Sequence, residues 1–137
     1  MDREVFVDTS GFYALLVADD EQHRRADQIL KRARQKSSRF VTSDYVLDET
    51  VTLLTARRHG HLVQPFLQAT LHSSACRIEW TDPERFSETA DYLLKHRDRA
   101  WSFTDCLSFV LMKKIRLRDA LTKDVNFEQA GFVALLR

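Results

Sequence analysis

Short apolar runs alternate along the chain with longer segments in which apolar residues recur at every third or fourth position. The short runs predict buried strands at residues 5–7, 40–42, 76–80, 120–122 and 132–135. The periodic segments predict helices at residues 11–17, 20–38, 43–58, 62–71, from 83 onward and 102–112, with a helical turn at 127–130. Strands separated by helices predict an α/β fold with a central, mostly parallel sheet of four or five strands.

Two of these segments also predict how their side chains pack. The helix that begins at Pro83 is expected to bury Phe86, Ala90, Leu93 and Leu94, which recur at helical spacing. The segment 102–112 is apolar nearly all round, so we expect it to lie at the centre of the fold. In the third strand, Ile78 and Trp80 alternate onto one face. Gly60 is expected to end the helix at 43–58.

The composition narrows the fold and function classes. With 137 residues, 44% of them hydrophobic, the chain is expected to form one domain, residues 1–137. Its three glycines are widely separated, which excludes a glycine-rich nucleotide cradle. The two cysteines lack the paired spacing of a structural zinc site. No apolar stretch reaches the roughly 18 residues that a membrane helix needs, so we predict a cytoplasmic protein without a membrane partner.

Three acidic residues fall at the same edge of the predicted sheet. Asp8 follows the first strand, Asp105 lies in the first turn of the central helix, and Asp124 follows the fourth strand. Ligands of parallel α/β sheets bind in the crevice at the carboxyl ends of the strands. We therefore expect these three side chains to face one pocket.

Helical projection distinguishes two further acids, Asp48 and Glu49. At about 100° per residue, Glu49 falls at the edge of the apolar stripe of its helix, whereas Asp48 falls opposite the core. Asp48 is therefore predicted to be a solvated helix residue. Glu49 is predicted to join the pocket as a fourth acid.

Four carboxylates in one crevice repel one another by roughly 4 kcal/mol per close pair at an effective dielectric near 20. A bound cation would remove this cost. Hard oxygen ligands without histidine or cysteine favour Mg²⁺ or Mn²⁺ over zinc. The pattern therefore indicates metal-dependent hydrolysis of a phosphodiester.

Each acid also has a purely structural interpretation. Asp8 and Asp105 are typical helix caps or partners of a helix dipole, and Asp124 is typical of an Asx turn. A Mg²⁺-binding phosphoacceptor receiver module is an alternative function, although Thr9 and Ser10 stand where it would have an acidic pair. A phosphatase of the haloacid dehalogenase type is excluded, because it needs acids two residues apart and this chain has Asp8 and Ser10.

Four short acidic segments occur in a distinctive order and spacing: VDTS at 7–10, DET at 48–50, SFTDC at 102–106 and LTKDVNF at 121–127. In these segments the chain resembles the PIN-domain family, most closely its VapC-like toxins. The resemblance spans essentially the whole chain and continues through FEQAGF at 127–132.

The resemblance implies a single PIN-like nuclease domain with three α/β/α layers and a Mg²⁺-dependent endoribonuclease activity, in which Mn²⁺ can substitute. It implies that Asp8, Glu49, Asp105 and Asp124 are both the catalytic residues and the metal ligands. The metal would activate water for attack on the RNA backbone, leaving 5′-phosphate and 3′-hydroxyl ends. The supporting hydrogen-bond donors around this cluster are expected to be Thr9, Ser10, Thr104 and Asn126.

The resemblance also implies partners: an RNA substrate, a cognate antitoxin protein and a second copy of the chain in a homodimer. PIN domains without an antitoxin exist, and a degenerate PIN domain that binds RNA or protein without cutting is an alternative. All four acidic positions are filled here, which favours catalysis.

Charge adds one further candidate. The whole chain carries a net charge of only +1, so an RNA partner must be bound by a local patch. Residues 22–39 carry seven basic side chains and one acidic side chain. This helix either guides RNA or presents an ordinary solvated face. Charge reversal that weakens RNA binding and flattens its salt dependence would favour the first interpretation.

Overall fold

The computed structural model describes residues 4–137, which form a five-stranded sheet in the order β3-β2-β1-β4-β5. All four pairings are parallel. The strands are β1 (Val5–Val7), β2 (Phe40–Ser43), β3 (Cys76–Glu79), β4 (Asp119–Leu121) and β5 (Val133–Ala134). The helices are α1 (Thr9–Leu16), α2 (His23–Gln35), α3 (Asp44–Ala56), α4 (Val63–Leu71), α5 (Pro83–Lys95), α6 (Phe103–Lys114) and α7 (Val125–Gln129). The predicted mostly parallel α/β/α arrangement is confirmed.

The core lies around the central strands and α6. Strands β1, β2 and β4 are buried along most of their length because helices cover both faces of the sheet. Phe109 of α6 is fully buried and meets Phe127 edge to face, with ring centroids 4.9 Å apart. The prediction that α6 is central is confirmed.

Gly11 brings α1 into close contact with β4. A Cβ atom at this position would lie only 2.1 Å from the Leu121 carbonyl oxygen, a distance that no side chain tolerates. The Asp8 N–H also donates to the Leu121 carbonyl, at 3.2 Å. The carboxyl ends of β1 and β4 are therefore held side by side, with the start of α1 above them.

Several helix boundaries differ from the predicted ones. Helix α1 begins at Thr9 instead of residue 11, and α2 begins at His23 instead of near Asp20. Helix α3 ends at Ala56, before Gly60. It ends because Arg58 adopts a left-handed conformation, with φ +64°, and the His59 N–H donates to the Leu54 carbonyl at 2.7 Å.

The packing predicted for α5 and β3 is partly wrong. Phe86 and Leu94 are 45% and 55% exposed, whereas the polar Thr89 is fully buried and donates to the Arg85 carbonyl. Trp80 lies beyond the end of β3 and is 62% exposed. Periodicity identifies an apolar face, but it does not show whether a neighbouring element covers that face. Among the described residues, no helix is long and apolar enough to cross a membrane.

Candidate active site

The carboxyl ends of the strands open into a cavity of about 480 Å³. Asp8, Glu49, Asp105 and Asp124 all line it, so the structure brings together the four acids selected from the sequence. They come from four separate segments: the end of β1, the middle of α3, the first turn of α6 and the loop after β4. Asp48 is exposed and does not line this cavity, as its helical position predicts.

Asp8 is the most buried of the four acids, with 4% of its surface exposed. Its Oδ2 accepts a hydrogen bond from the Thr122 hydroxyl at 2.9 Å and a longer one from the Ser10 hydroxyl at 3.4 Å. Burial raises the pKa of this carboxyl to about 7; the nearby Thr9 N–H and Thr122 hydroxyl lower it, while Asp105 and Glu49 raise it further. Near neutral pH this carboxyl is therefore close to its titration midpoint.

Glu49 is held by a neighbour of Asp8. The Thr9 hydroxyl donates to Glu49 Oε1 at 2.6 Å, across 40 residues of sequence. Thr9 is buried at the start of α1, whereas Glu49 lies in the middle of α3 and is half-buried. The bond therefore fixes one carboxylate of α3 against the carboxyl end of β1.

Asp105 lies in the first turn of α6, where Ser102 caps the helix by accepting from the Asp105 N–H at 3.0 Å. Asp105 is buried, and its Oδ2 accepts from the Asn126 side-chain amide at 3.1 Å. Burial raises its pKa, as do the Asp124 and Glu49 carboxylates, while the bond from Asn126 lowers it.

Asp124 caps the short helix α7 by accepting from the Asn126 N–H at 2.9 Å. Its own N–H donates to the Thr122 hydroxyl oxygen at 3.0 Å. The Asx-turn interpretation of Asp124 therefore describes its local structure, and the same residue also faces the cavity. The two roles are compatible because the cap uses Oδ1.

The four carboxylates have no basic partner within the described part of the chain: none forms an ion pair there. Unpaired, partly buried carboxylates are the donor set that a hard divalent cation requires. Across residues 4–137, however, no three acidic, histidine or cysteine side chains already stand close enough to hold an ion. Each of the four carboxylates is held instead by a neighbouring hydroxyl or amide group.

Three of the four predicted supporting donors contact the acids. Thr9 bonds Glu49, Ser10 approaches Asp8, and Asn126 bonds both Asp105 and Asp124. No hydrogen bond from the Thr104 side chain to these acids occurs among the described residues; the Thr104 carbonyl instead accepts from Ser108.

Sequence reasoning missed Thr122 as part of the site. Its hydroxyl is fully buried, donates to Asp8 and accepts from the Asp124 N–H, so one side chain connects two of the acids. The signal was present: a polar residue directly follows the buried strand β4, two positions before Asp124. Three cations that also line the cavity were missed as well, namely Arg57, Lys123 and Arg137.

The basic helix α2 does not line the acidic cavity. Its exposed Lys31 pairs with Asp27 at 3.0 Å, and the Arg25 side chain donates to the Leu135 carbonyl at 2.8 Å. An RNA-guiding role for α2 thus stays a prediction that concerns a surface outside the cavity.

Comparison with known proteins places this geometry in context. The family model described as PIN domain matches residues 5–133. The 23S rRNA-specific endonuclease VapC20 of Mycobacterium tuberculosis is 36% identical over 129 residues, covering 94% of this chain and 95% of the relative. Its crystal structure, described as that of a sarcin-ricin loop cleaving toxin, matches with a TM-score of 0.80 and covers 94% of this chain and 96% of the other. A VapC ribonuclease of Archaeoglobus fulgidus is 28% identical, covering 82% of this chain and 72% of the relative.

Proposed function

The chain belongs to the PIN domain family, and on this premise we propose that it is a Mg²⁺- or Mn²⁺-dependent endoribonuclease. The two curated relatives are named as an endonuclease and a ribonuclease. The observation that carries the proposal is the set of four unpaired carboxylates lining one cavity at the carboxyl edge of the sheet. A receiver module accounts for this set less well, since Glu49 and Asp105 reach it from two different helices.

In this proposal Asp8, Glu49, Asp105 and Asp124 hold the cation. When bound, a divalent cation supplies the positive charge that activates water and stabilises the charge developing on the phosphate. The fit rests on the donor chemistry: all four side chains offer carboxylate oxygens, and no histidine or cysteine of the described chain lines the cavity. Magnesium and manganese are the ions that such a set favours.

The surrounding side chains orient the carboxylates. Thr122 fixes Asp8 and the backbone before Asp124, Thr9 fixes Glu49, and Asn126 links Asp105 to the α7 cap. Removing such an outer partner typically lowers metal affinity or activity by about 10- to 100-fold. The expected products are RNA fragments with 5′-phosphate and 3′-hydroxyl ends, because water attacks the phosphorus and the 3′ oxygen leaves.

The relatives also suggest a substrate class and partners. Their names support RNA as the substrate, and 23S rRNA with its sarcin-ricin loop is the first RNA to test. We infer that the chain is the toxin of a cytoplasmic toxin–antitoxin pair and acts as a homodimer. Exposed apolar side chains on and beside α5, among them Trp80, Phe86 and Leu94, support an interface between copies.

Cleavage of defined RNA tests the proposal. Purified protein is incubated with a synthetic sarcin-ricin loop RNA in Mn²⁺, in Mg²⁺ and with a chelator, beside Asp105→Asn. We expect cutting only with metal, loss of cutting in the variant, and 5′-phosphate ends on the products. RNA binding without cutting in any metal would instead indicate a degenerate PIN domain. Phosphorylation of the chain by acetyl phosphate would favour the receiver module.

A further inference from the structure

One cation in the acidic cavity, Arg57, is held in a defined position without an acidic partner. Its guanidinium carbon lies 5.0 Å from the centroid of the Tyr13 ring, and both residues line the cavity. We propose that Arg57 binds a backbone phosphate of the RNA at a distance from the carboxylates and thereby positions the strand for cutting. The inference rests on the proposed nuclease function and adds a specific phosphate contact to it.

Helix α3 sets the distance between this contact and the acids. Glu49, Leu53 and Arg57 follow one another at intervals of four residues, and all three line the cavity. Eight residues of helix span about 12 Å. A stacked strand advances about 3.4 Å per nucleotide, so the backbone of Arg57 is roughly three or four nucleotides from that of Glu49. Helical side chains lean toward the N-terminus and shorten this separation, so we assign to Arg57 a phosphate close to the one that is cut but distinct from it.

Arg57 is available for such a contact. Within residues 4–137 it forms no ion pair, although four carboxylates line the same cavity. Arg137, by contrast, is paired with Glu128 at 2.8 Å. Lys123 also forms no ion pair within residues 4–137, but unlike Arg57 it makes no cation–π contact with an aromatic ring of that range. An arginine stacked on an aromatic ring presents a planar fork that matches two phosphate oxygens.

Arg57 is exposed, but the ring beneath it and its own backbone are both fixed. Tyr13 is 9% exposed and meets His59 edge to face, with ring centroids 5.9 Å apart. The backbone of Arg57 is fixed where α3 ends, since its N–H donates to the Leu53 carbonyl at 3.0 Å. A side chain already held in position loses less freedom when a ligand binds.

The charges in the cavity explain why a phosphate contact by Arg57 would help RNA to bind. Four carboxylates repel an RNA backbone, and a net charge of +1 provides little general attraction. A cation at one end of the cavity draws the strand along it without neutralising the acids. Arg57 therefore contributes to binding and alignment, and bond breaking is left to the carboxylates and their ion.

The chain offers a matched control in the adjacent residue. Arg58 is also exposed and also an arginine, but it does not line the cavity. We would compare Arg57→Gln, Arg58→Gln and the charge-preserving Arg57→Lys with the wild-type chain. Affinity for a labelled sarcin-ricin loop RNA is measured in EDTA over a range of salt concentrations, and KM and kcat for its cleavage are measured in Mn²⁺.

We expect Arg57→Gln to weaken RNA binding and raise KM by about tenfold, with kcat changed less than twofold. Its slope of log affinity against log salt should fall by about 0.7, the value for one contact to a single strand. Arg57→Lys should keep the salt slope but recover only part of the affinity, while Arg58→Gln stays within about twofold of wild type. Melting temperatures establish that the variants are folded.

Equal effects of Arg57→Gln and Arg58→Gln would overturn the inference, because the contribution would then be general charge. A loss of kcat with unchanged KM would also overturn it. If the wild-type chain cuts no RNA and Asp105→Asn behaves identically, the proposed function fails and this inference fails with it. A cleaving wild type with unaffected Arg57→Gln leaves the nuclease function standing and removes only the phosphate contact.

Discussion

Cavities lie at both ends of the sheet, and two of them, one from each end, differ in chemistry more than in size. The cavity at the carboxyl ends measures about 480 Å³ and contains four carboxylates. The second, beside the amino ends of β2 and β3, measures about 400 Å³, and its lining within residues 4–137 is apolar side chains, serines, Thr70, Cys76 and two arginines. Packing of helices on a sheet produces both spaces. Among the described residues, carboxylates line the first of these two cavities and not the second.

This difference distinguishes polar side chains that only satisfy local hydrogen bonds from polar side chains that support the site. Thr70, which lines the amino-end cavity, donates to the Phe66 carbonyl one helical turn earlier and so satisfies its own hydroxyl locally. Thr122, at the carboxyl end, donates to Asp8 across 114 residues of sequence. Keeping Asp8 buried without a cationic partner costs free energy. Such a cost is typical of a site that a ligand completes.

The largest difference between neighbouring acids is expected in α3. Glu49→Gln should reduce cleavage about 100- to 1000-fold, because it removes one carboxylate from the proposed ion site. Asp48→Asn, one residue away and outside the cavity, should leave the rate within about twofold. Initial rates in Mn²⁺ measure both. Equal losses would mean that charge on α3 matters and its position does not.

The raised pKa of Asp8 predicts how the stability of the metal-free protein depends on pH. Between the unfolded pKa near 3.9 and the folded pKa of about 7, the folded state binds the extra proton. The free energy of unfolding should therefore fall as pH rises through this range, by as much as about 4 kcal/mol, and level off above it.

Asp8→Asn removes this contribution, so its stability at pH 8 should exceed that of wild type. Urea unfolding in EDTA at pH 5 and pH 8 measures the difference. Wild type and variant with parallel pH profiles would show that Asp8 is already ionised at pH 5.

Gly11 allows α1 to lie directly against β4 at the acidic cavity, so a side chain at this position should disturb that contact. Gly11→Ala should destabilise the fold by about 3 kcal/mol, because its Cβ meets the Leu121 carbonyl oxygen. Gly60→Ala is the control: no atom of residues 4–137 lies within 4 Å of the added Cβ, and we expect a change of about 0.5 kcal/mol or less. Thermal unfolding compares the two. Similar stabilities would show that α1 can shift away from β4.

The two buried threonines provide the smallest of these effects and the sharpest comparison of the two ends. Thr122→Val should reduce cleavage about tenfold, since Asp8 loses its donor and the Asp124 N–H its acceptor. Thr70→Val removes a buried hydroxyl from the amino-end cavity and should leave cleavage unchanged. Thermal unfolding establishes that both variants remain folded at the assay temperature. If both variants lost activity to the same extent, the loss would reflect a general effect on folding and not a role of Thr122 in the site.

The sequence allowed the parallel α/β arrangement and the four acids of the cavity to be predicted for one reason. Apolar runs locate the strands, and parallel strands bring the residues after them to one edge, as with Asp8 and Asp124. Glu49 could be distinguished from Asp48 because a helix converts sequence position into direction. These inferences use local period and chain order only.

Other features depend on contacts that neither period nor order specifies. The bond from Thr122 to Asp8 requires the register of β4 beside β1, and the support of Arg57 by Tyr13 requires the crossing of α1 and α3. The end of α3 was displaced because Arg58 adopts a left-handed conformation that usually favours glycine. The exposure of Phe86 and Leu94 depends on what covers α5, and a helical pattern contains no information about that.

The central claim is that the acids at the carboxyl end of the sheet bind a divalent cation. Mn²⁺ binding, followed by electron paramagnetic resonance of the free ion, tests it most directly in wild type, Asp105→Asn and Asp48→Asn. The account predicts saturable binding by wild type and Asp48→Asn that weakens at least about tenfold in Asp105→Asn. Equal binding by all three proteins would contradict it, because the ion would then lie outside this cavity.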